Sequence, residues 1–259
     1  MNNWTLDFIT YDDYKKHVTE YVNLILNSTT PKTLHQFNNN IIDPVKLTFS
    51  YFTGDQDKTD IIESETLRQA DKTLNNHIGY FHQNIFKYIK GWSVPSRGFD
   101  VVNDAKTIYV EMKNKHNTMN SSSGARTFIK LLNKVAEDPN YTAMLVEIIA
   151  KTSQDIIWSV SVDGERQSNQ RVRRVSIDKF YEIATGDPYA YKKVIEWLPI
   201  TIKEVIKDKK PEDKESKIIK ELEKNGSFFK GLYNLAYKTY NGFDELNFVC
   251  KEELGDDFK

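Results

Sequence analysis

Apolar residues recur at helical spacing from Tyr11 to Asn27, where Tyr14, Val18, Tyr21, Val22, Ile25 and Leu26 share one stripe, and an amphipathic helix is expected there. A second short helix is expected from Pro44 to Tyr51, so residues 1–60 read as a helical cap. From Glu63 to Lys90 a longer helix is predicted on Leu67, Leu74, Ile78, Phe81, Ile85 and Ile89, with Gly79 as the point that weakens it. The period then changes. Gly98–Val102 and Thr107–Lys113 read as two strands joined by the turn-rich Asn103, Asp104, Ala105 and Lys106, which is a hairpin signal. A polar stretch from Asn114 to Gly124 leads into an amphipathic helix, roughly Ala125 to Glu137, with Phe128, Ile129, Leu131, Leu132 and Val135 as its apolar positions.

Two further strands are expected at Thr142–Ala150 and Ile156–Val162. The polar, basic segment Gly164–Arg174 reads as a loop, and Val175–Ile183 fits strand or helix equally well. Beyond it the chain reads as helical: Tyr191–Trp197, then a charged loop from Lys207 to Ser216, a helix to about Asn225 and another from Phe228 to Tyr240. The order helix, hairpin, helix, strand, strand implies a central mixed sheet flanked by helices, hence α/β or α+β. With no internal repeat and no linker, one domain over residues 1–259 is expected, its core at 61–185 and a helical C-terminal region at 186–259.

Composition narrows the function classes. A chain of 259 residues with 39% apolar residues can bury one full core. With 36 Lys and Arg against 37 Asp and Glu the net charge is -1, so a surface for a polyanion has to come from local segregation of charge. Cys250 is the single cysteine, which excludes an internal disulfide and a thiolate metal site and fits a reducing interior. The first residues, MNNWTLDFITYDDYKK, carry no secretory signature, and no run approaches the roughly 20 apolar residues that span a bilayer. A soluble, cytoplasmic protein with no membrane partner is expected.

The strand YVEMK carries the chemistry. Side chains alternate, so Tyr109, Glu111 and Lys113 share one face while Ile108, Val110 and Met112 take the other. Hairpin pairing can bring Asp100 of GFDVV beside Glu111, and two adjacent carboxylates make a hard oxygen site suited to Mg2+. Such an ion supports phosphodiester hydrolysis, with Lys113 orienting or deprotonating the attacking water. Asp followed by E-x-K is also what a surface salt bridge across two strands looks like, and the residues alone leave both readings open.

The run GFDVVNDAKTIYVEMKNKHNTMNSSSGARTFIKLLN resembles the PD-(D/E)-x-K nuclease superfamily, and within it the type II restriction endonucleases that recognise GGNCC, the Eco forty-seven II type. The similarity extends upstream through ADKTLNNHIGYFHQNIFKYIKGW and covers roughly Glu63 to Ala150, although Gly-Phe-Asp stands where the superfamily has Pro-Asp. The resemblance implies a restriction-endonuclease-like sheet and a prokaryotic, Mg2+-dependent enzyme that cuts double-stranded DNA to 5′-phosphate and 3′-hydroxyl ends. It implies Asp100 and Glu111 as metal ligands, the Met112 carbonyl as a third, and Lys113 as the group that positions water. A glutamate from the preceding helix joins the metal in some members, which makes Glu65 or Glu63 a candidate; an acidic first helical turn answering the helix dipole explains them equally well.

Two segments are candidates for DNA contact. Asn117, Ser121, Ser122 and Ser123 gather hydrogen-bonding groups before a helix N-terminus, a natural seat for a phosphate, while a serine there also serves as an ordinary cap. Arg126 and Lys130, one turn apart on that helix, form a candidate backbone-binding stripe or simply an exposed face. Arg166, Gln167, Asn169, Gln170, Arg171, Arg173 and Arg174 are suited to reading base edges, arginine on guanine above all, so Gly164–Arg174 is taken as the recognition loop. His77 and His82, five residues apart, lack metal-ligand spacing, and Trp92, Trp158 and Trp197 read as core or interface anchors. A palindromic site implies a homodimer, and a restriction enzyme implies a DNA cytosine methyltransferase as its genetic partner. The competing readings are a structure-specific repair or recombination nuclease and a non-catalytic DNA-binding protein that retains the fold.

Overall fold

A computed structural model of the chain describes residues 4–27, 58–116, 119–207 and 241–242, with a few positions between 43 and 54. The described residues belong to two compact units, one drawn from residues 1–19 and 81–259, the other from 20–80. The expected helices to Asn225 and at Phe228–Tyr240, Cys250, most of Pro44–Tyr51 and all of Lys207–Ser216 but Lys207 lie outside the described residues.

The larger unit is built on a sheet of strand order β1-β2-β3-β5-β4. β1 (Val101–Asn103) pairs antiparallel with β2 (Ile108–Lys115), which pairs parallel with β3 (Thr142–Ile149). β3 pairs parallel with β5 (Glu165–Ser176), and β4 (Asp155–Val162) closes the other edge antiparallel to β5. This is the mixed sheet read from the sequence. A parallel pair needs a crossover, supplied for β2 and β3 by the helix Ser121–Glu137. Of the helices with described bounds, α1 (Tyr11–Asn27) and α2 (Lys58–Asn84) precede the sheet, so the crossover helix is α3. Asn120 caps α3 by accepting the Ser123 amide at 2.8 Å, which starts the helix four residues before the first apolar repeat suggested.

On one face of the sheet, Phe128, Leu131 and Val135 of α3 pack with Ala143, Leu145, Trp158, Val162 and Val172. Packing against β3 and β5 is α4 (Ile177–Thr185), whose Phe180 stacks within 4.6 Å of Phe86 and 5.1 Å of Trp92. The N-terminal turns of the chain dock on α5 (Ala190–Val205): Trp4 lies 4.9 Å from Trp197, and the Tyr14 hydroxyl donates to the Val194 carbonyl at 2.8 Å. All three tryptophans read as anchors, Trp92, Trp158 and Trp197, are buried.

Several expectations need correction. The segment taken as a recognition loop is a strand. Asp163 (φ 51°) and Gly164 (φ 86°) form a two-residue turn, both in the left-handed region, and Val162 pairs with Glu165 directly after it. Asp-Gly with both φ positive is the turn whose twist matches two antiparallel strands. The segment is polar because β5 pairs with β3 only from Val172 to Ser176, so its first half projects beyond the third strand with much of its surface in water. Val175 and Ser176 end the strand and α4 begins at Ile177, which resolves the ambiguous stretch into both structures. The helix expected at Tyr191–Trp197 passes through Pro199 to Val205 at the loss of one backbone bond, since proline has no N–H. The α2 stripe is buried only from Phe81 onward; Leu67 and Leu74 stand exposed. None of the described helices is long and apolar enough to cross a membrane.

His17 is 1% exposed on α1 and hydrogen-bonds the Phe81 carbonyl through Nε2 at 3.0 Å. Burial pushes its pKa down from 6.5 to about 4 and does the same to His82. A lowered folded value means that the unfolded chain binds these protons first, so stability present above pH 6.5 is lost as the pH falls towards 4, by about 1.4 kcal/mol per pH unit for each histidine. In urea titrations across that window, His17→Gln, which keeps a donor for the carbonyl but cannot be protonated, is expected to flatten the decline; an unchanged slope contradicts this account.

Candidate active site

The site forms where β1 runs out beside β2. Val101 pairs with Val110, and Asp100, the residue before the strand, donates its amide to the Val110 carbonyl at 2.9 Å. One step further along β2 the backbone of the neighbouring chain has turned away, and the Asp100 side chain replaces it: Oδ2 accepts the Met112 amide at 2.7 Å. A residue's N–H and C=O face the same edge of a strand, so the Met112 carbonyl is directed towards Asp100 as well. This hook fixes the carboxylate beside Glu111 although Asp100 itself is not in the strand.

Glu111 and Lys113 lie on the α3 face of β2, as alternation predicts, with Lys113 Nζ 4.0 Å from Glu111 Oε2. Glu111 is buried, 7% exposed, and burial raises its pKa; Asp100 adds to the rise, while the bond from Lys130 and the charges of both lysines oppose it. Lys130 is the residue whose role the sequence reading missed. Its ammonium bonds Glu111 Oε1, donates to the Gly98 carbonyl at 2.6 Å and lies 4.8 Å from the Phe99 ring centre. The signal for it was positional: α3 follows the strand directly and crosses the face that Glu111 occupies. Arg126, four residues earlier, donates to the Ser122 hydroxyl at 3.3 Å and lines an open groove with Phe99, Ile129, Asn133, Lys134 and Glu137.

Other expected site residues fall elsewhere. Ser121 and Ser122 are exposed in the first turn of α3, and Ser123 bonds its cap; Asn117 lies outside the described residues. On β5, Arg166, Gln167, Asn169 and Gln170 occupy the projecting half, and Arg166 is bonded to Ser159 at 2.8 Å. Arg171 is tied to the Asp138 and Tyr141 carbonyls at 2.7 and 3.1 Å, and Arg173 to Asp155 at 2.9 Å. These two are engaged within the protein, contrary to a free loop of base-reading arginines. Arg174 bonds Glu147 on the face that carries Glu111 and Lys113. Glu63 is exposed on α2, whereas Glu65 is buried and bonded by Arg68 at 2.6 Å and Gln69 at 2.9 Å, and the Arg68 guanidinium holds its carboxyl down at about 2. Because α2 begins at Lys58, neither glutamate stands in the first turn, so the dipole explanation loses its geometry.

No cluster of three or more His, Cys, Asp or Glu occurs among the described residues. A magnesium ion does not require one, since it keeps several waters and binds through one or two carboxylates. Two neighbouring carboxylates, one of them destabilised as an anion by burial, together with a backbone carbonyl on the same side, form a donor set that fits it.

A model of the family described as Eco47II restriction endonuclease matches residues 6–207, a span that contains every residue of this site. The chain is similar to the type II restriction enzyme Sau96I of Staphylococcus aureus, 33% identical over 224 residues that cover 81% of this chain and 84% of that protein. It is also similar to the type II restriction enzyme Eco47II of Escherichia coli, 30% identical over 184 residues covering 67% of this chain and 77% of that one.

The hook gives Asp100 a structural duty that can be separated from its charge. Asp100→Asn keeps an acceptor oxygen for the Met112 amide and is expected to unfold like the wild type. Asp100→Ala leaves that buried amide unpaired and is expected to lose about 1–3 kcal/mol in chemical denaturation. Equal stability of the two variants contradicts the hook.

Proposed function

Because the chain belongs to the Eco47II restriction endonuclease family, it is a type II restriction enzyme acting on double-stranded DNA, and we propose that Asp100, Glu111 and Lys113 are the residues with which it cuts. The observation that carries this assignment is the bond from the Met112 amide to Asp100, which holds a second carboxylate against a strand already bearing Glu111 and Lys113 on one face.

In this reading the enzyme depends on Mg2+, held by Asp100, Glu111 and the Met112 carbonyl. The bound ion would lower the pKa of the attacking water and neutralise charge on the phosphate and the leaving oxygen. Asp100 is preorganised for the task, since the backbone bond to Oδ2 leaves Oδ1 directed elsewhere. Lys113, one third exposed, orients the attacking water by donating a hydrogen bond to its oxygen. Lys130 fixes the rotamer of Glu111 and offsets the repulsion between the two carboxylates.

Target and assembly follow from the resemblance over Glu63–Ala150. A GGNCC site is proposed, cut to 5′-phosphate and 3′-hydroxyl ends by a homodimer whose two-fold axis matches the palindrome. The projecting half of β5, with Arg166, Gln167, Asn169 and Gln170 on a rigid ribbon, is proposed to approach the bases, and the Ser121–Ser123 turn with Arg126 the backbone. Such an enzyme works in the cytoplasm of a prokaryote that protects its own sites with a cytosine methyltransferase. Both relatives carry the name of restriction enzymes, which favours this reading over a repair nuclease or an inactive DNA-binding protein.

The test is to incubate purified protein with long duplex DNA and magnesium and to sequence the fragment ends. Discrete ends sharing GGNCC are expected from the wild type, with the rate lowered about a hundredfold or more in Asp100→Asn and Lys113→Ala. Absence of cutting by the wild type with any divalent ion sinks the proposal, as does undiminished cutting by both variants.

A further inference from the structure

The face of the sheet that carries Glu111 and Lys113 holds a second charged pair, Glu147 and Arg174. Register fixes their place. Lys113 pairs with Glu147 across β2 and β3, and Leu145 pairs with Glu111 on one side and Arg174 on the other. Paired residues of neighbouring parallel strands point to one face, so with strands about 4.8 Å apart Glu147 adjoins Lys113, and Arg174 stands roughly 10 Å from Glu111 at Cα.

Arg174 grips Glu147 with a two-pronged bond, Nε donating to Oε2 at 3.0 Å and Nη2 to Oε1 at 2.6 Å. The glutamate side chain is 1% exposed and the arginine 32%, so solvent meets only the cationic member of the pair. A guanidinium has five N–H donors in one plane, of which two are used here. The remaining donors are oriented by a carboxylate that is itself buried in the sheet. A buried ion pair is a poor source of stability, since well-packed apolar residues do as well or better in its place. Its placement beside Lys113 therefore points to what the guanidinium does with its free edge. The neighbouring arginines are differently placed: Arg173 alternates to the opposite face and is held by Asp155 at 2.9 Å, and Arg171 ties two backbone carbonyls.

We infer that Arg174 is a clamp for a backbone phosphate of the DNA beside the cut, and that Glu147 is the positioning residue that aims it. Arginine suits the role because its fork matches two phosphate oxygens at once. The inference rests on the reading of Asp100, Glu111 and Lys113 as the cutting site, because that reading places DNA over this face. It also reassigns Arg174 from base edges to the backbone.

The experiment uses the full chain and two probes, a short duplex with one GGNCC site and the same duplex with the site scrambled. Binding is followed by fluorescence anisotropy with magnesium present, in a Lys113→Ala parent, between about 50 and 200 mM salt. A phosphate contact is independent of sequence, so Arg174→Gln is expected to weaken binding to both probes and to lower the slope of log affinity against log salt by about one. In the otherwise wild-type enzyme, Glu147→Gln keeps the cation and hence the slope, but it releases the guanidinium, and single-turnover cleavage is expected to fall about ten- to a hundredfold. Arg174→Lys retains charge without the fork and is expected to keep the slope with a similar loss of cleavage; it decides the matter if Arg174→Gln does not fold.

A parent that still cuts, or that fails to bind duplex, overturns the underlying assignment of the site. A parent that binds without cutting, with Arg174→Gln folded and its slope unchanged, overturns the clamp alone. Lowered melting temperatures with wild-type cleavage in Glu147→Gln and Arg174→Lys reduce the pair to a structural bridge and overturn it equally.

Discussion

Glu111 is a carboxylate on a strand that is hydrogen-bonded along both edges and packed on both faces, and the surrounding architecture is an answer to that burial. Removing such a charge from water costs several kcal/mol unless partners compensate. Its raised pKa records the imbalance even with two lysines nearby. One of those lysines comes from the same strand by alternation. The other comes from α3, which has to return over this face because β2 and β3 run parallel and need a crossover helix between them. Topology therefore delivers Lys130, and the late start of β1 delivers Asp100. The three-residue length of β1 matters in this respect: one more ladder pair would have given Met112 a backbone partner in place of a carboxylate.

The division between what pattern revealed and what it concealed follows from burial contrast. β2 was legible because Tyr109, Glu111 and Lys113 interrupt an apolar run at every second place, and α3 because its stripe faces a complete core. Asp100, Glu111 and Lys113 were legible as a constellation through alternation and a hairpin, and the longer resemblance lent that pattern its weight. β5 was misread because a strand with water on much of its surface has no apolar face to advertise, although the Asp-Gly pair ahead of it was the proper turn signal. α5 was cut short at Pro199 for the opposite reason: a proline breaks the local pattern while its buried neighbours keep the helix in place.

The partners of Lys130, Glu147 and Arg174 escaped for a further reason. Glu147 sits inside the run TAMLVEII, where one acid in an apolar strand gives no hint of its partner. Arg174 is one of several arginines in a basic stretch, and only the register with β3 separates it from Arg173. Contacts made across strands and helices depend on which face each residue takes, and a shift of one position exchanges the faces. Such residues become visible when pairing is known, not before.

The hairpin of β4 and β5 has a consequence for descent. Because β5 joins β3 only from Val172 to Ser176, side chains such as Arg166 and Gln167 stand on a ladder with β4 that shares nothing with β2. Substitutions there leave the β2–β3 ladder, the core beneath α3 and the hook at Asp100 undisturbed. Lineages can therefore drift along this ribbon and acquire new surface chemistry at its tip while the cluster of Asp100, Glu111 and Lys113, built on β2 and the residue before β1, keeps its geometry.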